Sequence, residues 1–104
     1  AVAPHANLLY LADQARCPYG QRSIADIQQI ALGCANWLQR QGAAPIVVAC
    51  NTASAAALAD MRLAQPQVPF VGMVPAVKPA VQQTKNGVVG VMATAATLQG
   101  RRCV

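Results

Sequence analysis

Acidic side chains are scarce: Asp13, Asp26 and Asp60 are the only three, against eight Lys and Arg. No carboxylate pair stands out for acid–base work. There is one histidine, His5, far from every cysteine. No two of the four cysteines (Cys17, Cys34, Cys50, Cys103) have C-x-x-C spacing, so zinc is not expected. The phosphate loop G-x-x-x-x-G-K-[ST], the dinucleotide fingerprint G-x-G-x-x-G and the nucleophile elbow G-x-S-x-G are all absent. No apolar run approaches the ~18 residues of a membrane span. The opening, AVAPHANLLY, has neither an initiator Met nor a basic segment ahead of its apolar one, so no signal peptide is read. The chain is expected to be an internal piece of something longer. Aromatic residues make up 4% of the chain and do not alternate with the scattered bases Arg16, Arg22, Arg40, Arg62, Lys78, Lys85, Arg101 and Arg102. The net charge of +5 is therefore read as a lightly charged surface, with no nucleic acid as partner.

What is present is apolar. Hydrophobic residues make up 55% of 104 and charged residues 11%. That excludes a disordered chain and bounds it to one domain at most. A chain this size buries roughly two thirds of its unfolded surface. So few charges hint that some apolar surface expects a partner. Four cysteines could form a secreted disulfide framework, but without a secretion signal reduced cytosolic thiols are the better expectation.

The chain is organised around Pro45 to Ser54, PIVVACNTAS. Four apolar residues, Ile46 to Ala49, run into Cys50 and read as a buried strand. The alanines and leucine that follow read as a helix to about Leu63. Cys50 should then sit at the carboxyl end of a strand, on the turn into a helix, the edge where parallel α/β sheets bind ligands. Around it, Asn7–Ala12, Phe70–Met73 and Val88–Ala93 read as further strands. Asp13 to Gln21 is a polar loop whose Cys17-Pro18-Tyr19-Gly20 forms a shaped turn. Ser23 is an N-cap with Asp26 in the first turn. Ile24, Ile27, Ile30, Ala31, Cys34 and Leu38 make one apolar helical stripe, ended by Gly42. Pro75 suits the first position of a helix to Gln83, which Pro79 should shorten or kink. Thr94 to Leu98 opens another helix. Strands alternating with helices predict an α/β fold: an open parallel sheet of βαβ units with helices on both faces.

Cys50 is the chief chemical candidate. A thiol at a helix N-terminus gains thiolate character; Asn51 and Thr52 supply side-chain donors, and free helix N–H groups can hold a carboxylate. The competing reading is a buried structural cysteine closing a strand. The polar N-T-x-S after it brings the two readings level. Cys17 adjoins the same expected crevice but reads as incidental. Cys34 reads as core, and Cys103 is uninformative. Tyr19 could bond a ligand or simply pack its turn. Trp37 reads as a core or partner-facing side chain, and His5 as solvated.

Taken together, D-x-x-R-x-P-Y-G (Asp13–Gly20), V-V-A-C-N-T-A-S (Val47–Ser54), V-G-M-V-P-A-V-K-P-A (Val71–Ala80) and V-G-V-M-A-T-x-A-T (Val89–Thr97) resemble the bacterial glutamate racemases of the aspartate/glutamate racemase superfamily. Order and spacing agree over nearly the whole chain. The resemblance implies a cytoplasmic, cofactor-independent enzyme supplying D-glutamate for peptidoglycan. It implies a two-base mechanism in which one cysteine removes the α-proton and another returns one to the opposite face. Cys50 matches the first of these; Tyr19, Gly20, Asn51 and Thr52 match substrate-binding positions, and Thr94 or Thr97 match positions near the substrate. The substrate glutamate and a second domain of the same chain are the implied partners, with a homodimer compatible.

The family's opening D-S-G strand and its C-T-H motif with the second cysteine are not found here. Arg101-Arg102-Cys103-Val104 also departs from the family's aromatic ending. Residues 1–104 are therefore expected to form one partial domain, the N-terminal catalytic portion of a racemase, lacking the first strand and the second domain, and inactive alone. Two alternatives stand beside this: an aspartate- or hydantoin-racemase-like enzyme, and a non-catalytic partner-binding fragment.

Overall fold

The computed structural model describes residues 4–99; Cys103 and the terminal Arg101-Arg102-Cys103-Val104 run lie outside the described residues. The first regular helix, α1 (Ile24–Arg40), forms where sequence signals agree at both ends. Ser23 is extended, and its hydroxyl accepts from the Asp26 N–H at 3.1 Å, a cap worth about 1 kcal/mol. At the far end Gly42 takes φ +83°. Its N–H bonds Gln39 O at 2.8 Å, and the Ala43 N–H bonds Leu38 O at 3.0 Å. This is the doubly bonded glycine stop that left-handed backbone allows.

Two strands follow, β1 (Ile46–Val48) and β2 (Phe70–Gly72), joined through α2 (Asn51–Ala64). They pair in parallel, Ile46 against Phe70, Val47 against Val71 and Val48 against Gly72. This is the βαβ unit the sequence implies. Ile46 and Phe70 face inward and join Ala31, Ala35, Ala57, Leu58, Met61 and Val68 in the main core. Ile27, Ala53, Ala56 and Ala96 form a second cluster. Gln28 locks α1 to α2, its amide donating to Ala56 O at 3.2 Å and to Asp60 Oδ2 at 2.8 Å. Gly72 has no side chain because a Cβ there would overlap Leu58 and lie 3.1 Å from Ser54 Oγ. The other face of the strand pair, carrying Val47 and Val71, is open to solvent among the described residues.

The structure corrects several expectations. Asn7–Ala12 and Val88–Ala93 are not strands. Leu8 and Tyr10 are 92% and 86% exposed, and Met92 is fully exposed. An apolar run becomes a strand only when a neighbour accepts its backbone bonds, and among the described residues neither run has one. Pro75 does not begin α3, which spans Val77–Gln83. Pro79 is its third residue and breaks nothing, because the first-turn N–H groups lack intrahelical acceptors anyway. Cys34, expected in the core, is half-buried. A 3-10 turn, Gln14–Arg16, lies within the expected loop, and α4 (Ala95–Gln99) forms where a last helix is read. Among the described residues no helix is long and apolar enough to cross a membrane.

Candidate active site

Cys50 stands where the sequence puts it. Its backbone is extended (φ −145°, ψ 120°), it is the residue before α2, and its Sγ accepts from the Ala53 N–H at 3.5 Å. The sulfur therefore takes the place a Ser or Asp oxygen would hold at a helix start, with an amide donor aimed at it. It is half-buried and packs, with Tyr19, Ile24 and Val48, against the second apolar cluster.

The next two residues face a cleft. Asn51 and Thr52, the first residues of α2, line a space of about 250 Å³ together with Pro75, Met92, Ala93, Thr94 and Thr97. Cys50 adjoins this cleft through the chain and is not among its lining residues. The polar centre of the cleft is a triangle of hydroxyls. Thr52 Oγ1 lies 3.0 Å from Thr94 Oγ1 and 3.1 Å from Thr97 Oγ1, and the last two are 2.9 Å apart. Thr94 also caps α4, its oxygen accepting from the Thr97 N–H at 3.2 Å. Thr52 and Thr97 are buried. Three hydroxyls that can exchange donor and acceptor roles suit a ligand carrying both kinds of group.

Gly20 reaches the same place from the turn before α1. A Cβ on it would lie 2.7 Å from Thr94 Cγ2, so only glycine lets the turn approach the triangle. Tyr19 is half-buried, and its hydroxyl donates to Asp13 Oδ2 at 2.7 Å, while Arg16 Nε donates to Asp13 Oδ1 at 2.9 Å. The Tyr19 bond above all, with Arg16 helping, holds the Asp13 carboxyl below its ordinary range. Burial, then the Asp13 bond, pushes the Tyr19 phenol up. Burial also raises the Cys34 thiol. Tyr19 is thus engaged by its own loop and packs against the same apolar cluster as Cys50 rather than lining the cleft.

Cys17 and His5 are exposed, and Cys17 is not among the cleft residues. Trp37 is 39% exposed on α1. Ser54, read as one of the polar donors after Cys50, is 3% exposed and bonded within the fold. Among the described residues no three His, Cys, Asp or Glu side chains come together as metal ligands. Sequence reasoning missed Pro75, Met92 and Ala93. Pro75 stands three residues past β2, at the same sheet edge as Cys50, and that position was the available signal.

The chain belongs to the Asp/Glu/Hydantoin racemase family, which it matches over residues 1–103. Within that family it is 66% identical over 97 residues to the glutamate racemase of Roseiflexus sp. (strain RS-1), an alignment covering 93% of this chain and 36% of that protein. Its fold is similar to that of glutamate racemase from Aquifex pyrophilus, with TM-score 0.75 and 45% identity over 86% of this chain and 36% of the other. It is also similar to glutamate racemase from Francisella tularensis in complex with D-glutamate, with TM-score 0.65 and 37% identity over 81% of this chain and 31% of the other. The chain spans about a third of the length of these relatives.

Proposed function

We propose that residues 1–104 are the N-terminal catalytic portion of an enzyme that interconverts L- and D-glutamate without a cofactor, with Cys50 as the base that acts on the D-isomer. The observation that carries this reading is the junction at Cys50: a sulfur facing the Ala53 N–H, one residue before two cleft-lining side chains.

The α-proton of an amino acid beside an ionised carboxylate is a very weak acid. Its removal needs a desolvated base and donors aimed at the developing negative charge. In this reading the Cys50 thiolate takes the α-proton of D-glutamate and becomes a thiol. A second cysteine thiol, supplied by a part of the enzyme outside this chain, gives its proton to the opposite face and becomes the thiolate. Charge and protons balance, and the reverse reaction restores both sulfurs. Asn51, Thr52 and Gly20 hold the amino acid, with Tyr19 fixing the turn that carries Gly20. The relatives' names and the D-glutamate complex of the Francisella protein support glutamate as the substrate.

The cellular role that goes with this chemistry is supply of D-glutamate for peptidoglycan, in the cytoplasm. The isolated 104 residues lack the second base and are expected to be inactive.

The test is exchange of the α-proton of D- and L-glutamate in heavy water by the intact enzyme and its Cys50→Ser variant. The variant should lose racemisation by about a thousandfold or more, the scale of a lost acid–base group. Undiminished racemisation would end the assignment. Assay with aspartate separates glutamate specificity from the wider family.

A further inference from the structure

Ser54 is a buried hydroxyl beside the candidate site, and proton transfer at Cys50 gives it no direct task. It is the fourth residue of α2 and is 3% exposed. Its Oγ donates to Val48 O at 3.0 Å and accepts from the Met73 N–H at 3.0 Å. Its own N–H donates to Cys50 O at 2.9 Å. One residue thus grips the end of β1, the residue just past the end of β2, and the turn that carries Cys50. The hydroxyl's single proton is spent on Val48 O, and Ser54 does not line the cleft, so its part is not substrate contact.

The geometry makes those grips consequential. Val48 lies two residues before Cys50, and Met73 two residues before Pro75, which lines the cleft with Asn51 and Thr52. The two strands pair for only three residues each, with Val48 against Gly72 as the last pair, so the Ser54 bonds carry the join one residue beyond the ladder's end. Gly72 completes the arrangement: its missing side chain leaves Ser54 Oγ room to reach the Met73 amide.

We propose that Ser54 is a positioning residue that sets the distance between the Cys50 thiol and the Pro75 wall of the cleft. The proposal rests on Cys50 being the proton-abstracting base. Removing the hydroxyl leaves Val48 O and the Met73 N–H without their partner and frees the two strand ends to drift relative to one another. A drift of about 1 Å at a proton-transfer site costs on the order of a hundredfold in rate. Cys50, Asn51 and Thr52 stay together at the start of α2 through the Ser54 and Ala53 backbone N–H bonds, so it is the Pro75 wall that moves; KM changes as well, but by less than kcat, because proton transfer is the more sensitive to distance.

The experiment uses the intact enzyme with Ser54→Ala, assayed in heavy water at a temperature well below its melting point. The expected result is a kcat for D-glutamate exchange lower by ~10- to 100-fold, with KM changed by a smaller factor. The ratio of Cys50 to Cys17 alkylation by iodoacetamide, read by mass spectrometry, should also depart from the parent's. A purely structural serine would lower the melting temperature and move neither readout. Should the alanine variant fail to fold, Ser54→Cys decides, since it keeps the shape but bonds weakly and should show the same kcat loss in smaller degree. A folded variant with the parent's kcat and alkylation ratio overturns the proposal while leaving the role of Cys50 intact. Loss of that role is recognised separately, by a Cys50→Ser enzyme that still racemises.

Discussion

Among single residues, the contact between Gly20 and Thr94 is the most sensitive point of the cleft. A methyl group on Gly20 would press on Thr94 Cγ2 and Cβ at 2.7 and 2.9 Å, closer than non-bonded carbons approach. Thr94 must then retreat, which strains its 3.0 Å bond to Thr52. A hydrogen bond of this kind is worth roughly 0.5–1.5 kcal/mol. Under the proposed function, Gly20→Ala in the intact enzyme should therefore raise the KM for glutamate roughly 2- to 10-fold, with kcat less affected. Steady-state kinetics of the exchange reaction read this directly. Parts of the site are legible at this scale. Cys50, Asn51 and Thr52 follow one another on a strand-to-helix junction, so their placement is local information. Pro75 is signalled only by its place just past a strand end, and Met92 is not legible, because it reaches the cleft only through the approach of a separate segment.

Elements repeat that contrast. The start of α1 is readable because Ser23 and Asp26 are three residues apart and the cap is made between them. The stop at Gly42 is readable for the same reason. Ser23→Ala should lower stability by about 1 kcal/mol, a fall of several degrees in melting temperature, while leaving activity below that temperature unchanged. Thermal melts followed by circular dichroism test it. A far larger loss would mean that the cap holds more than its own helix. The runs Asn7–Ala12 and Val88–Ala93 show where local reading fails. Their apolarity is that of strands, yet pairing needs a neighbour that sequence does not specify. Ile46 and Phe70 fare better because both pack against Leu58 and Met61 of α2, the helix that joins their strands.

At the scale of the molecule, one side is well packed and the other bare. Val47 and Val71 on the open sheet face are 60% and 51% exposed, and Leu8, Tyr10, Val88 and Met92 add to the uncovered apolar surface. Surface of this kind marks contact with other protein. The isolated 104 residues should self-associate as concentration rises, and Val47→Lys with Val71→Lys should shift them towards monomer. Sedimentation velocity over a range of concentrations decides; a well-behaved monomer for the unsubstituted chain would count against the surface as an interface. The hydroxyl triangle carries a consequence in time rather than space. Thr52 meets partners 42 and 45 residues further along the chain, so on a ribosome delivering residues in order the pocket stays unbuilt until Thr97 has cleared the exit tunnel. A molecule bound in this cleft can thus reward only chains that have finished this stretch, and cannot guide the folding of anything made before it.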